Sequence, residues 1–155
     1  MCHVENEQLP IILMERLAAN LHSYLHDPSH VILHPSHVNL ATHKKAHILK
    51  IVVNGLTYLH SQSPPLVHRD LTARNVLLTS GETAKISDFG NARILDIDPQ
   101  SHQTMTSRPG TLEYMPPEAF GASAEYDSSL NVFSFGHLAL FCSHSGKPNS
   151  STAIC

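Results

Sequence analysis

The clearest hydrophobic pattern in the sequence lies at residues 42–61. Apolar residues recur there at steps of three and four positions: Ile48, Leu49, Val52, Val53, Leu56 and Leu59. Because such steps bring side chains to one side of a helix, the pattern predicts an amphipathic helix packed on a core. Ser63-Pro64-Pro65 follows it and ends it, since proline lacks the backbone donor that a helix needs.

Two further helices are predicted, one on each side of this segment. Residues 17–26 can form a short helix that stops at Asp27-Pro28, where proline interrupts it. Residues 128–141 follow Asp127, which is a suitable N-cap. This last segment is apolar on most sides, so we expect a helix at the centre of its domain.

Short strands and loops fill the rest of the chain. Residues 9–14 predict a buried strand entered through a proline, and Val76–Leu78 and Ala84–Ile86 predict two strands joined by a turn at Ser80-Gly81. Proline, glycine and polar residues predict long loops at 27–40 and 96–110. The small polar residues at 143–155 predict a disordered tail. The fold class expected from these elements is α+β and mainly helical.

Composition and charge exclude several classes of function. The chain has 155 residues, 41% of them hydrophobic and 15% charged, as expected for a globular protein. Its net charge of -3 provides no basic face for nucleic acid or for a membrane surface. The three cysteines are far apart, which favours a reduced, cytoplasmic setting. No apolar run approaches the roughly 18 residues of a membrane helix.

Four sequence blocks carry the candidate chemistry. They are the run at 66–78 that contains His68-Arg69-Asp70, the triplet Asp88-Phe89-Gly90, the run at 110–119, and the run at 131–136. In this order and spacing they resemble the C-lobe of the protein kinases. The resemblance implies a partial protein-kinase-like fold. Residues 1–17 would be the end of the N-lobe sheet and the hinge, and residues 18–142 the C-lobe up to its central helix.

The same resemblance implies roles for individual residues. Asp70 would accept the proton of the substrate hydroxyl, and Arg74 resembles the loop cation of many tyrosine kinases. Asn75 and Asp88 would bind Mg²⁺, because hard cations prefer oxygen ligands. The expected cofactors are therefore ATP and Mg²⁺, and the expected partner is a protein substrate. Residues implied to contact the adenine base are Met14, Glu15, Leu17 and Leu77.

The amino acid that receives the phosphate remains open at this point. Arg74 resembles tyrosine kinases, whereas Gly110-Thr111 resembles serine/threonine and tyrosine-kinase-like members, in which the threonine touches the catalytic aspartate. We expect tyrosine rather than serine or threonine. The expected location is the cytoplasm, either in a soluble protein or in the cytoplasmic part of a receptor kinase.

The sequence departs from the kinase pattern in several places. Its seven glycines form no G-x-G-x-x-G run, so we expect an incomplete catalytic domain that is inactive on its own. Glu118 has no arginine after it to serve as the partner it has in the family. Asn131 stands where the family has an aspartate that accepts N–H groups of the catalytic loop. A catalytically inactive binding or regulatory module is therefore the alternative function.

A run of histidines offers a third and minor possibility. The histidines lie four, four, four and three residues apart, at His22, His26, His30, His34 and His37. One unbroken helix would align several of them as a transition-metal site. Pro28 and Pro35 interrupt such a helix, so solvated histidines are favoured over a metal binder.

Overall fold

A computed structural model describes residues 2–6, 9–26, 42–81, 83–95, 110–120 and 127–144. Its helices are α1 (Leu21–His26), α2 (Thr42–His60) and α3 (Ser129–His144). Its strands are β1 (Cys2–Asn6), β2 (Leu9–Leu13), β3 (Ala19–Asn20), β4 (Leu66–Val67), β5 (Val76–Leu78), β6 (Ala84–Ile86) and β7 (Arg93–Ile94). Single 3₁₀ turns lie at Phe89–Asn91, Leu112–Tyr114 and Pro117–Phe120. The predicted α+β class is confirmed.

The strands form three small antiparallel sheets, with the orders β1-β2, β3-β5-β6 and β4-β7. In the β5–β6 hairpin, Val76 lies opposite Ile86. The chain therefore enters β5 and leaves β6 at the same end of the hairpin. This geometry brings the loop at residues 68–75, which precedes β5, beside the loop at residues 87–91, which follows β6. These two segments are the 68–75 loop and the 87–91 loop.

Helix α2 confirms the prediction from hydrophobic periodicity. Its buried residues are Ile48, Val52, Leu56 and Leu59, and they pack in one core with Leu21, Leu71 and Leu138. Burying a side chain of this size stabilises the fold by about 1.5–3 kcal/mol. The stripe is narrower than predicted, because Val53 is exposed.

Helix α1 begins later than predicted, at Leu21 rather than at residue 17. Residues 19 and 20 instead form β3, and the Ala18 N–H donates to the Leu78 carbonyl at 2.9 Å. Asn20 then caps the helix, since its Oδ1 accepts from the Ser23 N–H at 2.8 Å. The sheet and the cap together override the helical pattern of the preceding residues.

Strand β2 confirms the predicted strand but not its burial. Ile12 and Leu13 are 60% and 56% exposed. In the part of the chain that the structure describes, β2 pairs with β1 alone, and the exposure of these side chains shows that no element packs over them. Strands β1, β3, β4 and β7 were not predicted. Strands β4 and β7 have two residues each, which is too short for an alternation of apolar and polar residues to be recognised.

Helix α3 is buried on one face only, which corrects the prediction that it is surrounded. The buried face contains Leu130, Asn131, Ser134, Leu138 and Cys142, whereas Val132 and Leu140 are exposed. The predicted cap is confirmed, because Asp127 Oδ1 accepts from the Ser129 N–H at 2.7 Å.

The end of α3 also differs from the prediction. The helix continues to His144, three residues past its predicted end and into the predicted tail. Residues 145–155 and the predicted loops at 27–40 and 96–109 lie outside the described residues. None of the helices in the described ranges has the length and hydropathy that crossing a bilayer requires.

A matched pair of substitutions on α3 tests this one-sided packing. Leu138 is 0% exposed and Leu140 is 46% exposed. We expect Leu138→Ala to lower the free energy of unfolding by about 2–5 kcal/mol, because it leaves a cavity in the core. Leu140→Ala should cost less than about 1 kcal/mol. Urea unfolding measures both, and equal losses would contradict the packing described.

Candidate active site

The carboxylate of Asp70 is the point at which three separate segments meet. Its Oδ1 accepts two hydrogen bonds from Thr111, from the backbone N–H and from the hydroxyl, both at 2.9 Å. Its Oδ2 accepts from the side-chain amides of Asn75 and Asn91, both at 3.3 Å. Asn75 Nδ2 also donates to the Asp70 carbonyl at 2.8 Å. Asp70 is thus positioned by its own loop, by the 87–91 loop and by the segment after Gly110.

His68 connects the 68–75 loop to the 87–91 loop. Its Nδ1 accepts from the Asp70 N–H at 3.3 Å, and its Nε2 lies 2.9 Å from the Ser87 carbonyl. Because a backbone N–H only donates and a carbonyl only accepts, the ring proton is on Nε2. Burial lowers the pKa of His68, against the opposing effects of the Ser87 carbonyl and of Asp70 and Asp88. A neutral imidazole thus links the two loops.

Phe89 packs against His68 but is not a core residue. The two rings meet edge to face with centroids 4.9 Å apart. His68 is fully buried, whereas Phe89 is 45% exposed. This ring contact thus joins the 68–75 loop to the 87–91 loop, with His68 in the core and Phe89 partly at the surface.

Two non-glycine residues in these loops have a left-handed backbone. Arg69 has φ 64° and Asp88 has φ 62°, a conformation that costs about 1–3 kcal/mol per residue. The Arg69 N–H donates to Asn131 Oδ1 at 3.1 Å, and its Nε donates to the Asn91 carbonyl at 2.6 Å. Asn131 thus accepts an N–H group of the 68–75 loop although it carries no charge. These bonds stabilise the turn that precedes Asp70.

Gly110 permits the approach of Thr111 to Asp70. Its φ is 111°, and a Cβ atom there would lie 2.6 Å from the Arg69 carbonyl oxygen. A larger residue would therefore push this segment away from the 68–75 loop. The other side of the segment is tied to α3, since the Ser134 hydroxyl donates to the Tyr114 carbonyl at 2.7 Å.

Asn75 precedes β5 and Asp88 follows β6, at the same end of the hairpin. Their side-chain oxygens are of the kind that binds a divalent cation. The Ser87 N–H and hydroxyl donate to the Asn75 carbonyl at 2.9 and 3.0 Å, which places Asn75 beside the residue that precedes Asp88. Among the described residues, nothing donates to Asn75 Oδ1, and Asp88 accepts only from the Gly90 N–H at 3.3 Å. One carboxylate and one amide oxygen suit Mg²⁺, which completes its shell with water and phosphate oxygens.

Three of the four residues predicted to contact a nucleotide are connected to the β3-β5-β6 sheet: Glu15, Leu17 and Leu77. Glu15 forms an ion pair with Lys85, which is the cross-strand partner of Leu77. Leu17 and Leu77 are half-buried, and Met14 is exposed. The structure therefore brings Glu15 and Leu77 to one hairpin, while Met14 is 66% exposed.

Arg74 is exposed on the 68–75 loop, four residues after Asp70. It lies near Tyr114, whose pKa is raised mainly by burial and slightly lowered by the positive charge of Arg74. The predicted loop cation therefore faces solvent at the edge of the segment that contains Thr111.

Two participants in this network were missed in the sequence. Asn91 directly follows Asp88-Phe89-Gly90. Its position beside this motif could have indicated that it belongs to the site. His60, at the end of α2, contacts the Asn131 side chain at 2.8 Å. No sequence pattern connects His60 with Asn131, because the two residues are 71 positions apart.

The alternative metal site receives no support from the described residues. Within them, no group of three or more His, Cys, Asp or Glu side chains is arranged to bind an ion. His22 and His26 pack instead against Phe141, with ring centroids 5.5 and 4.8 Å from it. The other three histidines of the run lie outside the described residues.

Comparison with known proteins identifies the family. The family model for protein tyrosine and serine/threonine kinases matches residues 1–151. The chain belongs to the protein kinase family. Members of this family transfer a phosphoryl group from ATP to protein hydroxyls with the help of divalent metal ions. The predicted family and partial kinase-like fold are confirmed.

Individual kinases match large parts of the chain. The mouse serine/threonine-protein kinase TNNI3K is 32% identical over 86% of the chain and 15% of its own length. From Arabidopsis thaliana, wall-associated receptor kinase-like 10 is 35% identical over 87% of the chain and 17% of its own length. Cysteine-rich receptor-like protein kinase 41 is 45% identical over 60% of the chain and 14% of its own length. The chain thus spans about a seventh of these kinases.

Substitution of Gly110 tests the approach of Thr111 to Asp70. We expect Gly110→Ala to lower the free energy of unfolding by about 1–3 kcal/mol, because alanine is strained at positive φ, and to shift the Thr111 amide resonance. The control is Gly136→Ala on α3, where a Cβ atom meets nothing within 4 Å and should stabilise the helix by up to about 1 kcal/mol. An unperturbed Thr111 amide in Gly110→Ala would contradict the contact.

Proposed function

We propose that this chain is part of a protein kinase in which Asp70 accepts the proton of the substrate hydroxyl. The observation that carries the proposal is the convergence of three segments on one half-buried carboxylate. The two bonds to Asp70 Oδ2 are long, at 3.3 Å, so an incoming hydroxyl can replace one of them without disturbing Oδ1. Fixing the orientation of the base in this way reduces the entropy cost of reaching the transition state.

The neighbouring residues complete the proposed site. Asn75 Oδ1 and Asp88 are proposed to bind Mg²⁺, which when bound neutralises the phosphates of ATP. Arg74 is proposed to face the transferred phosphate or the acceptor side chain. The adenine base is proposed to lie against Leu77 and the segment that contains Met14, Glu15 and Leu17.

The acceptor is proposed to be serine or threonine rather than tyrosine, the reverse of the expectation from the sequence. Thr111 donates both its N–H and its hydroxyl to Asp70, the contact that the sequence associated with serine/threonine and tyrosine-kinase-like members. A relative that covers 86% of the chain is named as a serine/threonine kinase. Arg74 remains the one feature that favours tyrosine.

The remaining proposals concern the protein as a whole. Residues 1–17 are proposed to be the end of the N-lobe and the hinge, and residues from 18 to the end of α3 to be C-lobe. The proposed setting is the cytoplasm, with ATP and a protein substrate as partners and no nucleic acid or membrane contact. The chain contains no G-x-G-x-x-G run, so the 155-residue polypeptide alone is proposed to lack activity.

A chimera tests whether the loops of this chain can catalyse phosphoryl transfer. Residues 66–120 replace the matching segment of the mouse kinase TNNI3K, and transfer from Mg-ATP to serine, threonine and tyrosine peptides is measured. We expect transfer to serine or threonine within about tenfold of the parent kinase. Asp70→Asn should lower it by about 10²-fold or more, because the proton acceptor is lost. The matched control is Ser80→Ala in the β5–β6 turn, which should change nothing.

The outcomes separate the alternatives. A folded chimera without Asp70-dependent transfer would favour the inactive binding module. Faster transfer to tyrosine would overturn the proposed acceptor. The 155-residue polypeptide itself should show no transfer above its own Asp70→Asn variant, and clear Asp70-dependent transfer would contradict its proposed inactivity.

A further inference from the structure

A chain of two hydrogen bonds connects α2, α3 and the 68–75 loop. Asn131 on α3 is fully buried. Its Oδ1 accepts from the Arg69 N–H at 3.1 Å, and its Nδ2 lies 2.8 Å from His60 Nε2. The residue that this chain of bonds reaches, Arg69, has the strained backbone described above and directly precedes Asp70.

The direction of both bonds follows from the chemistry of the groups. The Arg69 N–H can only donate, so the oxygen of Asn131 must face it. The NH₂ group of Asn131 then faces His60, whose Nε2 must accept. His60 is therefore neutral, with its ring proton on Nδ1, which is the opposite tautomer to that of His68.

We propose that His60 and Asn131 form a proton-controlled latch on the 68–75 loop, in which neutral His60 orients the Asn131 amide for Arg69 and protonated His60 does not. The latch is a property of the folded chain and does not depend on phosphoryl transfer. In it, Asn131 and His60 are positioning residues.

Protonation leaves no orientation of Asn131 that satisfies both neighbours. With the amide as observed, the Nε2–H of protonated His60 would face the NH₂ group, which is a donor facing a donor. After rotation of the amide, Asn131 could accept from His60, but its NH₂ group would then face the Arg69 N–H. The bond from the Arg69 N–H to Asn131 is lost, and the backbone before Asp70 loosens.

An asparagine makes the latch sensitive to protons in a way that an aspartate would not. A carboxylate at residue 131 would accept from Arg69 and from protonated His60 together, and its charge would favour the protonated ring. The neutral amide offers no such charge.

The surroundings set the pH at which the latch opens. Burial lowers the pKa of His60 from its usual value of 6.5. The charged or titratable side chains on the elements that pack against α2 are Lys85 on β6, His137, Cys142 and His144 on α3, and His68, Arg69 and Asp70 directly after β4. None of them is among the causes of the lowered pKa of His60. His60 is thus neutral at pH 7 and becomes protonated only below 6.5.

The lowered pKa of His60 makes the folded chain less stable as the pH falls. A lowered pKa means that the folded chain binds fewer protons than the unfolded chain between the two pKa values. Stability is therefore complete above the usual value of 6.5 and falls as the pH drops from there through the lowered pKa. His26 and His68 also have lowered pKa values and act in the same direction, so the test must be specific to His60.

Nuclear magnetic resonance of the 155-residue chain, followed from pH 8 to 5, provides that test. At neutral pH the ring nitrogen shifts of His60 should show the proton on Nδ1, and its titration midpoint should lie below 6.5. The Arg69 amide resonance should move with the same midpoint, and its protection from hydrogen exchange should fall.

Two variants assign the effect to this pair. Asn131→Asp should raise the His60 midpoint by about one to three pH units, because a carboxylate favours the protonated ring, and should keep Arg69 protected at lower pH. His60→Gln supplies an acceptor that does not titrate, so the loss of Arg69 protection at the His60 midpoint should disappear, and any change that remains should follow the midpoint of His68.

Several results would overturn the latch. These are a His60 proton on Nε2 at neutral pH, a midpoint at or above 6.5, or an Arg69 amide that in His60→Gln still titrates with the midpoint that His60 has in the unmodified chain. The first two use the unmodified chain, so they decide the matter even if a variant fails to fold. Failure of phosphoryl transfer in the chimera would leave all of these measurements unaffected.

Discussion

The hydrogen bonds of one buried, neutral imidazole connect the two loops of the candidate site. His68 accepts from the Asp70 N–H on one side and donates to the Ser87 carbonyl on the other. The Ser87 N–H and hydroxyl in turn donate to the Asn75 carbonyl, so Asn75 lies beside the residue that precedes Asp88. A charged ring could not make both bonds, because its Nδ1 would carry a proton. The low pKa that burial imposes is therefore part of how the site is assembled.

The site also depends on backbone conformations that are unfavourable by themselves. Arg69 and Asp88 have positive φ. Gly110 lies so close to the Arg69 carbonyl that the Cβ atom of any other amino acid at this position would clash with it. The buried side chain of Asn131 and the carbonyl of Asn91 compensate by accepting from Arg69. The hydrogen bonds around Arg69 thus stabilise a strained backbone, and such strain is common at functional sites.

Features governed by local chemistry could be predicted from the sequence. Periodicity predicted α2, alternating turns and short apolar runs predicted β5 and β6, and Asp127 predicted the start of α3. The four ordered motifs predicted the family. Periodicity reports which side chains are apolar but not what covers them, which is why the exposure of β2 and of one side of α3 was missed. The partnership of His60 with Asn131 depends on packing between distant elements, which no local pattern reports.

The assembly of the candidate site depends on the protonation state of His68, which ring nitrogen shifts measured at pH 7 report. We expect a neutral ring with its proton on Nε2 and a pKa below the usual value of 6.5. A protonated ring, or a neutral ring with its proton on Nδ1, would contradict the bridge between the two loops and with it the assembly of the candidate site.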